Sequence, residues 1–210
     1  RGFHIGEGAG LFLLETTDSA AERGAKVYGE VLGYGRACET SFLFSKPGPG
    51  VRNADADADA DANVTGSEAM ARAIQAALSE AGLAPDDINL IVGSSWGTAA
   101  ADRRELEGLA SGLGSAAARI PLTNLNGYFG FIEAAGAGLN LMGALGSMET
   151  GLIPPIAFSP PIHQEYAGRF DFVVGAARTG RNIKRALVTG ASEGGNCYAV
   201  IVGAPGGSES

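Results

Sequence analysis

The chain has 210 residues, enough for one large domain or two small ones, and 45% of them are apolar. Fifteen Lys and Arg stand against 23 Asp and Glu, for a net charge of −8 and a pI near 4.8. That balance argues against a nucleic-acid or anionic-membrane surface, both of which select a basic face. Cys38 and Cys197 are the only cysteines, far apart and with no His cluster, so neither a disulfide framework nor a zinc site is suggested and reduced cytoplasmic thiols are the simpler reading.

The chain opens with RGFHIGEGAG, which has one basic residue and no apolar h-region, so no signal peptide is expected. GEGAG has the look of a phosphate-cradling loop, yet no strand precedes it and no helix follows, which leaves the nucleotide reading weak. LFLL, within Gly10 to Glu15, is a continuous apolar run of the kind expected of a strand buried on both faces. Ser19 to Gly24 reads as a short helix, and KVYGEVLG (Lys26 to Gly33) alternates like a strand.

A Pro-, Gly- and Asp-rich loop follows. Its Asp55, Asp57, Asp59 and Asp61 lack the Gly and terminal Glu of an EF-hand, so solvated like charges are the better reading than calcium ligands. Thr65 and Glu68 have capping-box spacing. The helix after them carries Met70, Ile74, Ala77 and Leu78 on one face and ends at Gly82. Ile88 to Val92 reads as a buried strand. GSSWGTAAADRRELEGL then turns into a second helix striped with Leu106, Leu109 and Leu113.

The stretch RIPLTNLNGYFGFIEAAGAGLNLMGALGSMETGLIPP (Arg119 to Pro155) organises the rest: a short strand, a loop, a long helix and a Pro-Pro stop. From Phe131 to Met148 apolar residues cover nearly the whole circumference, which predicts burial on all sides. Gly136, Gly138, Gly143 and Gly146 each cost roughly 1 kcal/mol relative to Ala, with close backbone approach as the expected compensation. Glu133 and Asn140 interrupt the run, so it reads as a central helix and not as a membrane span of ~20 apolar residues. Ala186 to Thr189 and Tyr198 to Val202 read as two closing strands, and the alternation of strands and helices predicts an α/β fold.

These segments resemble the β-ketoacyl synthases, the thiolase-fold condensing enzymes of fatty acid and polyketide synthesis. The family's D-G-F-V-x-G-E-G-A-G segment resembles the opening residues. Its A-x-x-R-G-A-K-I-Y-A-E-I-x-G-Y-G run is matched by Ala21, Arg23, Gly24, Ala25, Lys26, Tyr28, Glu30, Gly33, Tyr34 and Gly35. Its S-S-T-K-S-M-T-G-H-L-L-G-A-A-G segment, followed by a helix and D-G-x-I-P-P, puts Pro121, Gly130, Ala135, Gly151, Ile153, Pro154 and Pro155 in register. The resemblance implies a layered α-β-α-β-α thiolase-like fold, here its C-terminal half plus the last strand of the N-terminal half. It further implies residues 1–35 as the end of the N-terminal half and crossover, 36–66 as an acidic loop, 67–205 as the C-terminal half and 206–210 as a flexible tail.

The same alignment implies what has become of the chemistry. Condensation needs a Cys nucleophile, two His donors and a supporting Lys–Glu pair. The family's Cys lies upstream of Arg1 in the fold. Trp96, in SSWGT before Asp102 and Glu105, stands at the first His position, and Phe131 at the second. Asn126 stands for the Lys, Asn140 for its Glu, and Glu193 for the apolar gate. An indole donates one hydrogen bond and phenylalanine none, so neither replaces imidazole. His4 and His163 read as structural, and Glu133 and Tyr128 as packing or loop contacts with acid–base work as the alternative.

A fold frame without its reactive groups resembles the chain-length factor, the inactive partner subunit of type II polyketide ketosynthases. That implies a non-catalytic subunit shaping an acyl tunnel and stabilising a heterodimer. No cofactor and no metal are implied. The expected partners are a chain supplying the N-terminal half, a catalytic ketosynthase subunit and an acyl carrier protein. An active acyltransferase with replaced residues, such as Glu133 or Glu193 with a Cys from another chain, and a scaffold binding carrier protein are the alternatives.

Overall fold

The computed structural model describes residues 3–39, 67–157, 162–192 and 194–206. The acidic run at Asp55 to Asp61, the Thr65 cap, the gate residue Glu193 and residues 207–210 lie outside them.

A six-stranded sheet of order β1-β6-β5-β2-β3-β4 organises the chain. β1 (Glu30–Cys38), β6 (Asn196–Gly203) and β5 (Arg185–Ala191) are antiparallel neighbours, whereas β5, β2 (Leu90–Gly93), β3 (Pro121–Asn124) and β4 (Asp171–Phe172) run parallel. β2 sits in the middle and all four of its residues are buried, as expected for a parallel strand covered on both faces. One face carries α2 (Ser67–Ala81) and α3 (Ala99–Leu113); the other carries α5 (Ala134–Thr150). Short α1 (Thr17–Glu22) and α4 (Asn126–Phe129) complete the described helices.

The helix pattern read from the sequence is met in α2. Met70, Ile74, Ala77 and Leu78 are all buried, and Gly82 closes the helix with φ +65°. α2 lies close on β1: a Cβ on Gly35 would stand 1.9 Å from the Ala73 carbonyl oxygen, so only glycine permits this approach. Thr98 caps α3, its hydroxyl accepting from the Ala101 N–H, and Leu109 and Leu113 face the core.

Three expectations need correction. Residues 10–15 form no strand here, because a strand exists only through its neighbours' hydrogen bonds and no described strand pairs with them. Leu11 is 100% exposed and Leu14 78%. Within the stretch Phe12 lies over α5, its ring 3.1 Å from where a Cβ on Gly138 would stand, and earlier in the chain Ile5 makes a bridge in which the Phe131 N–H donates to the His4 carbonyl at 2.7 Å and the Gly6 N–H to the Phe131 carbonyl at 3.0 Å.

The second correction is that α5 starts at Ala134 and is covered on one side only: Asn140, Ala144 and Ser147 are buried against the sheet, while Met142 is half-exposed. Third, the strand expected over 26–33 begins at Glu30 and runs to Cys38, since its ladder to β6 starts where Glu30 meets Gly203. At the far edge Arg178 clamps β4 through two 2.6 Å bonds to Asp171 and one of 3.1 Å to the Phe172 carbonyl.

Candidate functional site

The C-terminal ends of β2 and β3 and the start of α5 converge on a loop, Ser94 to Gly97, that carries Trp96. The loop is held from two directions. On one side Glu105, in α3 and only 5% exposed, accepts five hydrogen bonds. Its Oε1 takes the Ser94 N–H (2.7 Å), the Ser94 hydroxyl (3.0 Å) and the Thr189 hydroxyl (2.7 Å). Its Oε2 takes the Ser95 N–H (2.9 Å) and the Ser95 hydroxyl (2.6 Å). Gly93 makes this possible, since a Cβ there would stand 2.9 Å from Glu105 Oε2. A buried carboxylate is costly unless its lone pairs are filled in this way.

On the other side three asparagines hold the carbonyls of residues 93 to 95. Asn124 Nδ2 donates to the Ser95 oxygen at 2.7 Å, and Asn126 Nδ2 donates to those of Ser94 (2.6 Å) and Ser95 (3.1 Å). Asn140 Nδ2 donates to the Gly93 oxygen at 3.2 Å; its buried Oδ1 has no partner among the described residues. Asn124 Oδ1 also accepts the Asn126 N–H at 2.9 Å, which ties the start of α4 to the end of β3.

The loop places the Trp96 ring 4.6 Å from the Phe131 ring, tilted by 54°, and Phe3 meets Phe131 edge-on at 5.2 Å. Such centroid distances are those of a favourable aromatic cluster. Asp102, in the first turn of α3, accepts the Gly97 N–H at 3.2 Å. Burial, with Glu105 close by, pushes its carboxyl up to about 6 despite that hydrogen bond. Glu133 takes φ +48° at the start of α5, the only described non-glycine with positive φ.

The structure thus brings Trp96, Asn126, Phe131 and Asn140 to one place. The Tyr128 hydroxyl donates to the Pro155 carbonyl at 2.8 Å, and His163 lies exposed beside Glu165 at 3.8 Å. Glu193 is outside the described residues. Reading the sequence missed the work of Glu105, Asn124 and Thr189. Asp102 and Glu105 follow SSWGT in the sequence, but nothing near Thr189 showed that it would meet Glu105. Chemically the described hydrogen-bonding groups here are spent on one another, the Asn140 Oδ1 excepted, around a ring pair that takes no proton, with the Asp102 carboxyl beside the loop.

The chain belongs to the family described as "Beta-ketoacyl synthase, C-terminal domain", which matches residues 49–158. Among curated relatives, "Putative polyketide beta-ketoacyl synthase 2" of Streptomyces halstedii is 31% identical over 201 residues, 96% of this chain and 43% of that protein. A protein of the same description from Streptomyces coelicolor is 33% identical over 177 residues, 84% and 36% respectively. "The ishigamide ketosynthase/chain length factor" superposes with TM-score 0.79 at 26% identity, covering 98% of this chain and 45% of that one. A β-ketoacyl synthase from Burkholderia phymatum shares the fold, with TM-score 0.70 at 22% identity over 90% of this chain and 41% of its own. The fold is therefore thiolase-like. The chain spans between 33% and 43% of the length of the curated relatives compared.

Proposed function

We propose that this chain is the C-terminal half of a ketosynthase-like subunit that performs no condensation itself. Its role is that of a chain-length factor: to shape the acyl tunnel of a type II polyketide ketosynthase and stabilise the heterodimer. The observation that carries the reading is the Trp96–Phe131 pair, two aromatic rings 4.6 Å apart at the positions where the family resemblance puts both His donors. Asn126 and Asn140, at the Lys and Glu positions, donate their amide N–H groups to the carbonyls of residues 93 to 95. A thioester enolate would meet an indole edge and a phenyl ring in place of two imidazoles, and each lost donor removes roughly 10²–10³ in rate.

The partners in this reading are the N-terminal half of the fold, a catalytic ketosynthase and an acyl carrier protein. The exposed Leu11, Leu13, Leu14 and Met142 support the first of these, because large apolar side chains left in water favour a covering partner. The heterodimer would bury an interface of the large obligate class, roughly 2,000 Å² or more, in the cytoplasm.

The test is decarboxylation of malonyl carrier protein by the purified complex, before and after replacing the partner's Cys and His. Activity should vanish with the partner's residues; activity persisting in this subunit would overturn the reading and favour an acyltransferase with replaced residues.

A further inference from the structure

The loop between β2 and α3 is held by the side chain of Glu105. Glu105 is reached by donors from both Ser94 and Ser95, main chain and hydroxyl, and by a hydroxyl from β5, 84 residues along the chain. All five are neutral N–H or O–H donors. A carboxyl group presents two acceptor oxygens, and here both are shared among these donors.

We propose that Glu105 is the positioning residue that lays Trp96 against Phe131, so that the aromatic closure of the site is set by a buried carboxylate and not by ring packing alone. Trp96 itself is only partly buried, and the ring contact to Phe131 is its sole described aromatic contact. Its position follows from the path of residues 94 and 95, whose N–H and hydroxyl groups Glu105 holds while Asn124 and Asn126 hold their carbonyls. The inference rests on the reading above for its functional meaning, since a closed ring pair matters only if the site is not used for condensation.

Two hydroxyl donors to Glu105 separate positioning from simple support. Ser95 lies on the loop, next to Trp96; Thr189 lies on β5 and touches the loop only through Glu105. Ser95→Ala and Thr189→Val each delete one hydroxyl bond to the same carboxylate, and Ser95→Ala also deletes the 3.2 Å bond to the Ala101 carbonyl, which Ser94→Ala, losing only its hydroxyl bond to Glu105 among the described bonds, leaves in place. Trp96 is the only tryptophan of these 210 residues, so its emission, taken as the difference from a Trp96→Phe variant, reports the loop in the intact protein or complex.

Acrylamide quenching of that emission should rise in Ser95→Ala and rise further, with a red shift, in Glu105→Gln, where the new amide N–H faces existing donors. Thr189→Val should leave it near the wild-type value. The Glu107→Gln control, which breaks the surface pair with Arg169 on the same helix, should also leave it unchanged. If Glu105→Gln fails to fold, the contrast between Ser94→Ala and Thr189→Val decides: a rise in the first alone supports the proposal, and equal values in the two overturn it. Equal quenching in all variants, or an equal rise for Ser95→Ala and Thr189→Val, overturns the proposal. The measurement is blind to decarboxylation: a locked Trp96 in an active subunit would sink the functional reading and leave this one standing.

Discussion

Replacing Asp102 by Asn should make the protein more stable at neutral pH and change nothing in mild acid. Asp102 is largely buried beside Glu105, and its carboxyl titrates near 6 in place of the ordinary 3.8. A group whose pKa is raised by folding contributes fully below its unfolded pKa, and that contribution is lost as pH rises through the folded value. The window here is therefore about pH 4 to 6. A shift of roughly 2 units at 1.36 kcal/mol per unit sets an upper bound of about 3 kcal/mol. Solvent still reaches part of the group, which brings the expectation to about 1–2 kcal/mol. Asn keeps an acceptor for the Gly97 N–H, while loss of a negative charge from the first turn of α3 returns about 0.3–1 kcal/mol to the wild type. The net gain at pH 7.5 is then about 0.5–1.5 kcal/mol. Urea unfolding of both proteins from pH 4 to 7.5 gives the difference directly and cancels the other carboxylates. A difference that stays flat with pH, or falls as pH rises, would refute the reasoning.

Three further outcomes can be checked by the same unfolding measurements. Gly35→Ala drives a methyl into the Ala73 carbonyl, which backbone cannot yield cheaply, and should cost about 2–3 kcal/mol. Gly146→Ala meets nothing within 4 Å in the described chain and should stabilise α5 by about 0.5–1 kcal/mol; a loss instead would mean that another surface packs on the helix there. Arg178→Ala removes both bonds to Asp171 and should loosen β4, at about 1–2 kcal/mol and with faster amide exchange at Phe172 and Val173.

How far the sequence reaches is clearest by comparing α2 with α5. For α2 the 3.6-residue spacing of Met70, Ile74 and Leu78 and the stop at Gly82 suffice, because one apolar stripe has one way to be buried. β2 and β5 are equally legible as short apolar runs. The places of Trp96, Asn126, Phe131 and Asn140 follow from family resemblance, and the structure gathers these residues at one loop. Periodicity has no such hold on α5, whose apolar residues lie all round and whose covered side depends on what packs against it. LFLL is the same case: its composition suits a strand, but pairing is a property of neighbours.

Glu105 marks the limit most sharply. Sequence determines that a carboxylate follows Asp102 by one turn. Only the tertiary structure decides that it is buried, because its donors come from a loop ten residues before it and a strand 84 residues after it. Hydrogen bonds act over about 3 Å of space, so a chain read in one dimension records the groups and leaves their meeting to the fold.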